Sequence, residues 1–399
     1  MIFTLIFEPR RYDNIFGDAH RFAVSSPSSI LKYNNPASKL HWLGLEENYL
    51  DDDTISSLCN AIITNKSSSL KQLSFGNILG NDVTVKSWGA ISKLLSHPKN
   101  CSIEELWLFN NEICDAGLAL FGYALSNNTS LKYLNLNRIR SHHRITSTGG
   151  WKRFSKCLSS NHSALETLEL SDCGLDDADL AVIVSAMKYN TRLKSMNLSY
   201  NSITTNGLIG FFRPLQTWKT LQLEFLNLRR NKIIVDELTD DDRSVFCEAM
   251  CGTTDIHSTH CSNHVFHTII LDEDDPWNIE DSDWNKCIHE SLMLNKHPNK
   301  VEVARRKILK YHIYDEWDTS MFWDMHESVL PTALEWIGRD RQGFSAMYDV
   351  IREHPMLLDI MVNANAVPSK WNCEERTSWV AGQCCVEVEL RGENNIMGR

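Results

Sequence analysis

The sequence lacks any apolar run near the roughly 18 residues that a helix needs to cross a bilayer, which disfavours a membrane-spanning protein. Its opening, MIFTLIFEPRR, has no positive segment before the apolar residues and no small-residue cleavage site after them, so a secretory signal peptide is not indicated. We therefore expect the chain in the cytoplasm or the nucleus, with its 12 cysteines in the reduced state.

The sequence also lacks an excess of positive charge. Its formal net charge of −11 argues against nucleic acid and anionic membranes as partners, because both require a basic surface. Phosphate-binding, dinucleotide-binding, serine-hydrolase and zinc-protease motifs are missing as well. We therefore predict a protein that is not an enzyme and that uses no cofactor, no metal and no small-molecule substrate.

What the sequence does contain is a repeat of roughly 30 residues. The string Leu-x-x-Leu-x-Leu-x-x-Asn-x-Leu recurs with conservative changes, and repeats of this length indicate stacked structural units. The eight copies begin at residues 40, 70, 103, 131, 165, 193, 223 and 266. Five of these copies keep Asn or Cys at the ninth position, a regularity that a chance leucine-rich helix would not show.

Each position of the string has a physical reason. The leucines at positions four and six alternate with polar residues, as in a strand with one buried face. The ninth residue turns inward where the chain leaves the strand, and it can satisfy backbone groups that would otherwise be unpaired. We predict this ladder role for Asn48, Asn111, Cys173, Asn201 and Asn231.

Apolar residues at helical spacing follow each strand. Leu118, Phe121 and Leu125 are one such set, and comparable sets begin at Ile55 and Leu180. A strand and a full helix in about 30 residues resembles the ribonuclease-inhibitor class of leucine-rich repeats. This resemblance implies an α/β fold, namely a right-handed solenoid of about eight repeats with a parallel sheet on its concave face and helices on its convex face.

The repeat suggests four segments. Residues 1–37 are expected to be poorly ordered, residues 38–280 to form the solenoid, residues 281–362 to form a helical carboxy-terminal cap and residues 363–399 to form a disordered tail. Within the cap, helical stripes are predicted around residues 303–308 and 344–351. The stretch LPTALEWIGRDRQGFSAMYDVIREHP resembles the tail of uncharacterised repeat proteins from diatoms and related algae, which implies no activity.

Two repeats lack the ladder residue and have Ile78 and Ile139 in its place. These repeats are also long, which predicts a loop inserted where the strand turns outward. In the fourth repeat the loop would run from 138 to 144, with Arg138, Arg140 and Arg144 among its residues. Such a basic loop is either a solvated segment or a docking point for an acidic partner segment.

Charges alternate at the second position of the repeats. Lysine and glutamate take turns at Lys71, Glu104, Lys132, Glu166, Lys194 and Glu224. Neighbouring strands lie about 4.8 Å apart, so these side chains are expected to pair along one edge of the sheet.

Residues 247–267 contain three cysteines and four histidines, a composition that suggests a zinc site. Neither a Cys-x-x-Cys pair nor a matching histidine pair is present. Cys247 and Cys251 are spaced like core residues of a helix, and we favour that interpretation.

The third, fifth and seventh residues of each strand are predicted to point out of the concave face. Trp107, Phe109 and Tyr133 would then lie on adjacent strands, and large exposed aromatics are typical anchors of interfaces. The predicted partner-binding residues are Trp42, Trp107, Phe109, Tyr133, Phe225, Arg229, Arg138, Arg140 and Arg144. In the alternative, a loop, the amino-terminal segment or the carboxy-terminal helices cover the aromatic residues.

The predicted function is a scaffold or adaptor that binds another protein through its concave face. One alternative is a GTPase-activating protein of the Ran type, which resembles this chain in repeat type but carries a strongly acidic tail, unlike the LRGENNIMGR found here. The other is a substrate receptor of a ubiquitin ligase, although no F-box-like segment precedes Leu40.

Overall fold

The computed structural model describes two compact units of the chain, one of residues 1–254 and 261–304 and the other of residues 255–260 and 305–399. The described residues are 4–6, 41–46, 48, 50–64, 69–78, 83–97, 102–139, 147–160, 162–218, 221–252, 254, 256–271, 283–308 and 310–311. The sheet and the helices that pack behind it belong to the first unit. In the second unit, the described residues are 256–260, 305–308 and 310–311.

Nine parallel strands form one sheet within the described residues, and each strand pairs with the next along the chain. The strands are β1 (Thr4–Ile6), β2 (Trp42–Gly44), β3 (Gln72–Ser74), β4 (Glu105–Trp107), β5 (Tyr133–Asn135), β6 (Thr167–Glu169), β7 (Ser195–Asn197), β8 (Phe225–Asn227) and β9 (Thr268–Ile270). Strands β2 to β9 are the eight predicted ones, which confirms the leucine-rich-repeat solenoid. Strand β1 was not predicted, and its Thr4 lies in register with Trp42.

Helices alternate with the strands. They are α1 (Asp52–Thr64), α2 (Val85–Leu95), α3 (Asp115–Ser126), α4 (Lys152–Phe154), α5 (Asp177–Ala186), α6 (Thr205–Leu215), α7 (Asp240–Met250), α8 (Ile256–Cys261), α9 (Asp283–Asn295) and α10 (Lys300–Ile308). The fourth repeat departs from a regular helix, because a π-helical turn at Ser147–Trp151 precedes α4 and a 3-10 turn at Ser155–Ser159 follows it. Trp151 and Phe154 are nevertheless buried, so this irregular segment still fills its share of the core.

The core lies between the sheet and the helices. The central residue of each strand from β2 to β9 points into it and is at most 7% exposed, which is the burial that the alternating pattern predicts. Burying one such side chain contributes about 1.5–3 kcal/mol. The core therefore runs from repeat to repeat, and each repeat depends on its neighbours for burial.

Polar groups at the helix amino termini also join successive repeats. Asp177, the first residue of α5, accepts a hydrogen bond from the Thr204 backbone amide at 2.8 Å. Thr204 in turn caps α6, its hydroxyl accepting from the Asn206 amide. Asp52 and Thr84 form the same contact between α1 and α2, with 2.9 Å between carboxylate and amide. The caps therefore fix the helices to one another as well as ending them.

The predicted ladder residues lie in the turns that follow the strands, and they bond to the backbone there. Asn201 is buried, and its side-chain amide donates to the carbonyls of Leu170 and Leu198, both at 2.9 Å. Its oxygen accepts two backbone amides of the preceding turn. Asn111 and Asn231 bridge their own turn and the preceding one in the same way. Each of these asparagines thus serves two repeats at once.

Asn48 and Cys173 fill the ladder position differently. Asn48 is half-buried and donates to the carbonyl of Glu46 at 3.0 Å. The Cys173 thiol donates to the Leu136 carbonyl at 3.2 Å. Burial raises the pKa of this thiol to about 12, so it keeps its proton and remains a donor at neutral pH.

The two repeats without a polar ladder residue use their neighbours. Ile78 and Ile139 occupy the ladder position with buried side chains. Asn111 accepts the Ile78 amide at 2.9 Å, and Cys173 reaches the carbonyl at Leu136. Because a ladder residue also serves the preceding turn, Asn111 and Cys173 pair these backbone groups in the turns that have Ile78 and Ile139.

A second row of asparagines, not predicted from the sequence, lies where the helices lead into the strands. The Asn128 side chain donates to the Leu95 carbonyl and accepts from the Leu131 amide, both at 2.7 Å. Asn190 and Asn263 make the equivalent bond to the first apolar residue of the next strand segment, again at 2.7 Å. Both ends of the strand are thus fixed by buried amide side chains.

The predicted alternation of charge along one edge of the sheet is confirmed. The pairs are Lys71–Glu104, Lys132–Glu104 at 2.9 Å, Lys194–Glu166 at 2.8 Å and His267–Glu224 at 3.7 Å. These side chains are partly exposed, so each pair contributes only a few tenths of a kcal/mol. The charges of the three lysine–glutamate pairs offset one another along the edge, and all four contacts support the register of the strands.

Helix α9 packs against α7 and buries Ile288 and Leu292. Helix α10 matches the helix predicted at 303–308, and that prediction is confirmed. The predicted helix at 344–351 and the predicted tail from 363 lie outside the described residues. In the part of the chain that the structure describes, every helix is too short or too polar to cross a membrane.

Candidate functional site: the open face of the sheet

The side chains opposite the core form what we call the open face, made by the third, fifth and seventh residues of each repeat. Its members on β2 to β8 and the turns that follow are Trp42, Gly44, Glu46, Gln72, Ser74, Gly76, Glu105, Trp107, Phe109, Tyr133, Asn135, Asn137, Thr167, Glu169, Ser171, Ser195, Asn197, Ser199, Phe225, Asn227 and Arg229. Most are half-buried, as expected for large side chains that lie side by side on a sheet with one face toward solvent.

The register places these residues in rows across the strands. Glu105 lies beside Tyr133, and Trp107 lies beside Asn135. Glu169 follows Asn135 on the next strand. Neighbouring strands are about 4.8 Å apart, so residues in one row are close enough to share a ligand.

Trp107, Phe109 and Tyr133 form what we call the aromatic cluster. The rings of Trp107 and Tyr133 have centroids 5.4 Å apart and are tilted by 46°, a favourable arrangement for an aromatic pair. The side-chain amide of Asn135 donates to the Tyr133 hydroxyl at 3.3 Å. The pair is therefore held in place while both rings remain partly exposed.

Phe109 extends the cluster toward β3. A Cβ atom at Gly76 would lie only 2.3 Å from the Phe109 ring, so the ring occupies the space that a side chain at 76 would need. Glycine at this position allows the aromatic surface to continue from one strand to the next. Residues 7–40 and 312–399, which include most of the segments that could cover the cluster, lie outside the described residues.

Two carboxylates flank the aromatic cluster. Glu169 accepts hydrogen bonds from the side-chain amides of Asn197 at 2.7 Å and Asn137 at 3.4 Å. Both donors are neutral amides, so neither contact is an ion pair. Among the described residues, neither Glu105 nor Glu169 forms an ion pair. Sequence reasoning missed both residues as part of the site, although they occupy the same repeat positions as the aromatic residues.

The environment of Tyr133 is consistent with this negative charge. Burial raises the pKa of its phenol above the usual value, and the charges of Glu169 and Glu105 raise it further, while hydrogen bonds from Asn135 and Trp107 oppose the shift. The phenol therefore stays neutral at physiological pH and retains its hydroxyl as a donor.

The predicted partner-binding residues do not all come together. Trp42 on β2 is two strands from β4, and Phe225 on β8 is three strands from β5. Arg229 follows β8, and its amide donates to the Asn227 side chain at 3.0 Å. The aromatic cluster is thus the only group of three predicted anchors on adjacent strands within the described sheet.

Arg138 is exposed, and it lies 3.5 Å from Asp172 of the next repeat. It adopts a positive φ, as does the equivalent residue of every described turn from β3 to β8. Because Ile139 occupies the regular ladder position, the extra residues of this repeat begin only after 139, and the predicted start of the loop at 138 is corrected. Arg140 and Arg144 lie outside the described residues.

The cysteine- and histidine-rich segment contributes to the core. Cys251 is buried beside Ser291, with 2.9 Å between the thiol sulfur and the hydroxyl oxygen. Cys247, one turn earlier on α7, is half-buried. Among the described residues, no group of three His, Cys, Asp or Glu side chains is arranged to hold a metal ion.

Comparisons with known proteins agree with the repeat fold. The family described as Leucine Rich repeat matches residues 189–212. The chain is 34% identical over 142 residues to the mouse protein "NACHT, LRR and PYD domains-containing protein 5". The aligned segment is 35% of this chain and 11% of that protein. It is 28% identical over 185 residues to the human "NACHT, LRR and PYD domains-containing protein 14". That segment is 46% of this chain and 16% of the human protein.

A similar match joins the chain to the bovine "NACHT, LRR and PYD domains-containing protein 9", with 26% identity over 51% of this chain and 22% of that protein. The chain thus spans between about a tenth and a fifth of the length of these curated relatives. Among solved structures, leiomodin-1 actin-binding site 2 aligns with 47% of this chain and 92% of that chain, at 19% identity and a TM-score of 0.34. The chain has the leucine-rich-repeat solenoid fold, and the family match within it agrees with that fold.

Proposed function

We propose that this leucine-rich-repeat chain is a scaffold or adaptor that binds another protein through the open face, with Trp107, Phe109 and Tyr133 as the central anchors. One observation carries the proposal: Trp107 on β4, Phe109 on the turn that follows it and Tyr133 on β5 are grouped and partly exposed. The other aromatic residues of the face, Trp42 and Phe225, lie two or more strands away. Large aromatic side chains contribute most of the binding energy at many protein interfaces.

The charges of the open face favour a protein partner over nucleic acid. The positions on β2 to β7 include Glu46, Glu105 and Glu169 and no lysine or arginine. A phosphate backbone would meet only negative charge there. The length of the repeats and the full helix in most of them also favour the ribonuclease-inhibitor-like subtype, which we infer for this chain.

The proposal is tested by removing the two stacked anchors together. Wild-type protein and the double variant Trp107→Ala/Tyr133→Ala are immobilised at equal density, and the partners captured from lysate are identified and titrated. We expect the variant to lose more than about 2 kcal/mol of binding free energy, because the pair sits at the centre of the aromatic surface. A thermal melt checks that the variant is folded.

The matched control is Tyr123→Ala/Tyr189→Ala, which removes two aromatic rings from the helical side of the protein. These tyrosines are 73% and 61% exposed, so their removal should leave both the fold and capture unchanged. A folded Trp107→Ala/Tyr133→Ala variant that captures its partner as well as the wild type would refute the proposed binding face.

A further inference from the structure

Two rows of residues on the sheet differ in their balance of charge: the edge row, made by the second residues of the repeats, and the open face. Along the edge row, lysines and glutamates alternate and pair, as Lys132 and Glu104 do at 2.9 Å. On the open face of β2 to β7 the charged residues are all glutamates. This part of the face therefore has an acidic excess, and its glutamates form no ion pair among the described residues. The one basic residue of the open face, Arg229, follows β8.

The two glutamates nearest the aromatic cluster stand on opposite sides of it. Glu105 is in register with Tyr133 on the neighbouring strand. Glu169 lies in the row of Trp107, with Asn135 between them, so the Cα atoms of Trp107 and Glu169 are about 10 Å apart. A flat cation lying on the rings could reach a carboxylate on either side.

Arginine has the chemistry that fits this arrangement. Its guanidinium is planar and weakly hydrated, it stacks on aromatic faces, and it forms paired hydrogen bonds with a carboxylate. Lysine presents a compact and strongly hydrated charge, so it would use the carboxylates but benefit less from the rings.

We propose that the open face at β4 to β6 binds a basic segment of the partner protein, with an arginine side chain stacked on Trp107 and Tyr133 and held by Glu105 or Glu169. This inference rests on the proposed function and names the chemistry of its partner. An acidic segment, the expectation drawn from the basic loop, would instead face the carboxylates of the open face. Of the three arginines predicted for that loop, only Arg138 is among the described residues, and it belongs to the regular turn after β5, 3.5 Å from Asp172.

The test uses the full chain and three short fluorescein-labelled peptides, in which glycine alternates with arginine, with lysine or with glutamate. Binding is measured by fluorescence anisotropy at low and at physiological salt. We expect the arginine peptide to bind most tightly, the lysine peptide more weakly and the glutamate peptide not at all. Added salt should weaken binding, because exposed charges are screened.

Three variants locate the binding. Glu105→Gln/Glu169→Gln should raise the Kd of the arginine peptide at least about tenfold, and Trp107→Ala should raise it by a similar factor. The control Glu237→Gln/Asp241→Asn removes the same charge from exposed positions off the open face. It should change the Kd by less than about twofold.

Three results would overturn the inference. They are an arginine peptide that does not bind, a glutamate peptide that binds equally well, and equal losses in the control and the Glu105→Gln/Glu169→Gln variant. If lysate capture still depends on Trp107 and Tyr133 while the arginine peptide fails to bind, the proposed function stands and only the basic partner is refuted.

Discussion

Strands β4 and β5 share their backbone geometry with strands β6 and β7, but the faces they present differ. On β6 and β7 the polar side chains bond to one another: the Ser199 hydroxyl donates to Ser171 at 2.9 Å, and Asn197 donates to Glu169 at 2.7 Å. On β4 and β5 the face is dominated by aromatic rings, including the Trp107 and Tyr133 pair.

The same repeat positions therefore serve two roles: in β6 and β7 their side chains bond to one another, and in β4 and β5 they leave apolar surface exposed. Where polar groups find their partners within the sheet, little hydrogen-bonding capacity remains for another molecule. Where rings are packed but only partly covered, apolar surface remains that a partner could bury. We therefore propose that the apolar contacts with a partner are made at β4 and β5. We regard the hydroxyl and amide side chains of β6 and β7 as mainly structural, and Glu169, which borders the aromatic cluster, as the residue of β6 that takes part in binding.

The largest expected effect concerns β6 and β7, the strands that we regard as mainly structural. Replacing Asn201 by Leu removes the amide that bridges the turns after β6 and β7. It leaves the Leu170 carbonyl and the backbone amides of Cys173 and Leu175 without the partner they have in the core. We expect the free energy of unfolding to fall by about 1–3 kcal/mol. Denaturant unfolding measures this change, and partner capture by the folded fraction should be unaffected.

The control for this substitution is Asn60→Leu, at an exposed asparagine of α1, which should change the free energy of unfolding by less than about 0.5 kcal/mol. If Asn201→Leu were as stable as the wild type, the hydrogen bonds of the ladder residue would not stabilise the fold as proposed.

A smaller effect is expected on the polar face itself. In the double variant Ser171→Ala/Ser199→Ala both partners of one hydrogen bond are removed together, which costs less than about 1 kcal/mol of stability. Partner capture should remain at the wild-type level. If this variant loses as much capture as Trp107→Ala/Tyr133→Ala, the two halves of the open face act alike and the distinction fails.

Much of the fold could be predicted because the same pattern of buried and polar positions recurs in eight copies. Buried leucines in alternation place the strands, and the charges at the second position predict register that Lys132 and Glu104 then show. The aromatic cluster followed from the same alternation, since position within the strand decides which face a side chain occupies.

Other features could not be predicted because they depend on contacts between distant segments. Strand β1 (Thr4–Ile6) has no repeat around it, and it is defined only by its pairing with β2. The structural role of Asn128 depends on the hydrogen bond from its side-chain amide to the Leu95 carbonyl in the preceding repeat, and the sequence alone does not show this contact. The acidic flanks Glu105 and Glu169 are separated by 64 positions in the sequence, and only the register brings them around one aromatic pair.

The most direct measurement of the central claim is site-specific photocrosslinking. A benzophenone amino acid is placed at Phe109 in the aromatic cluster or, as the reference position, at Tyr123 on α3, and each protein is irradiated with its captured partner. The account predicts a covalent adduct with the partner from position 109 and none from position 123. An adduct from position 123 alone would contradict it and move the interface to the helices.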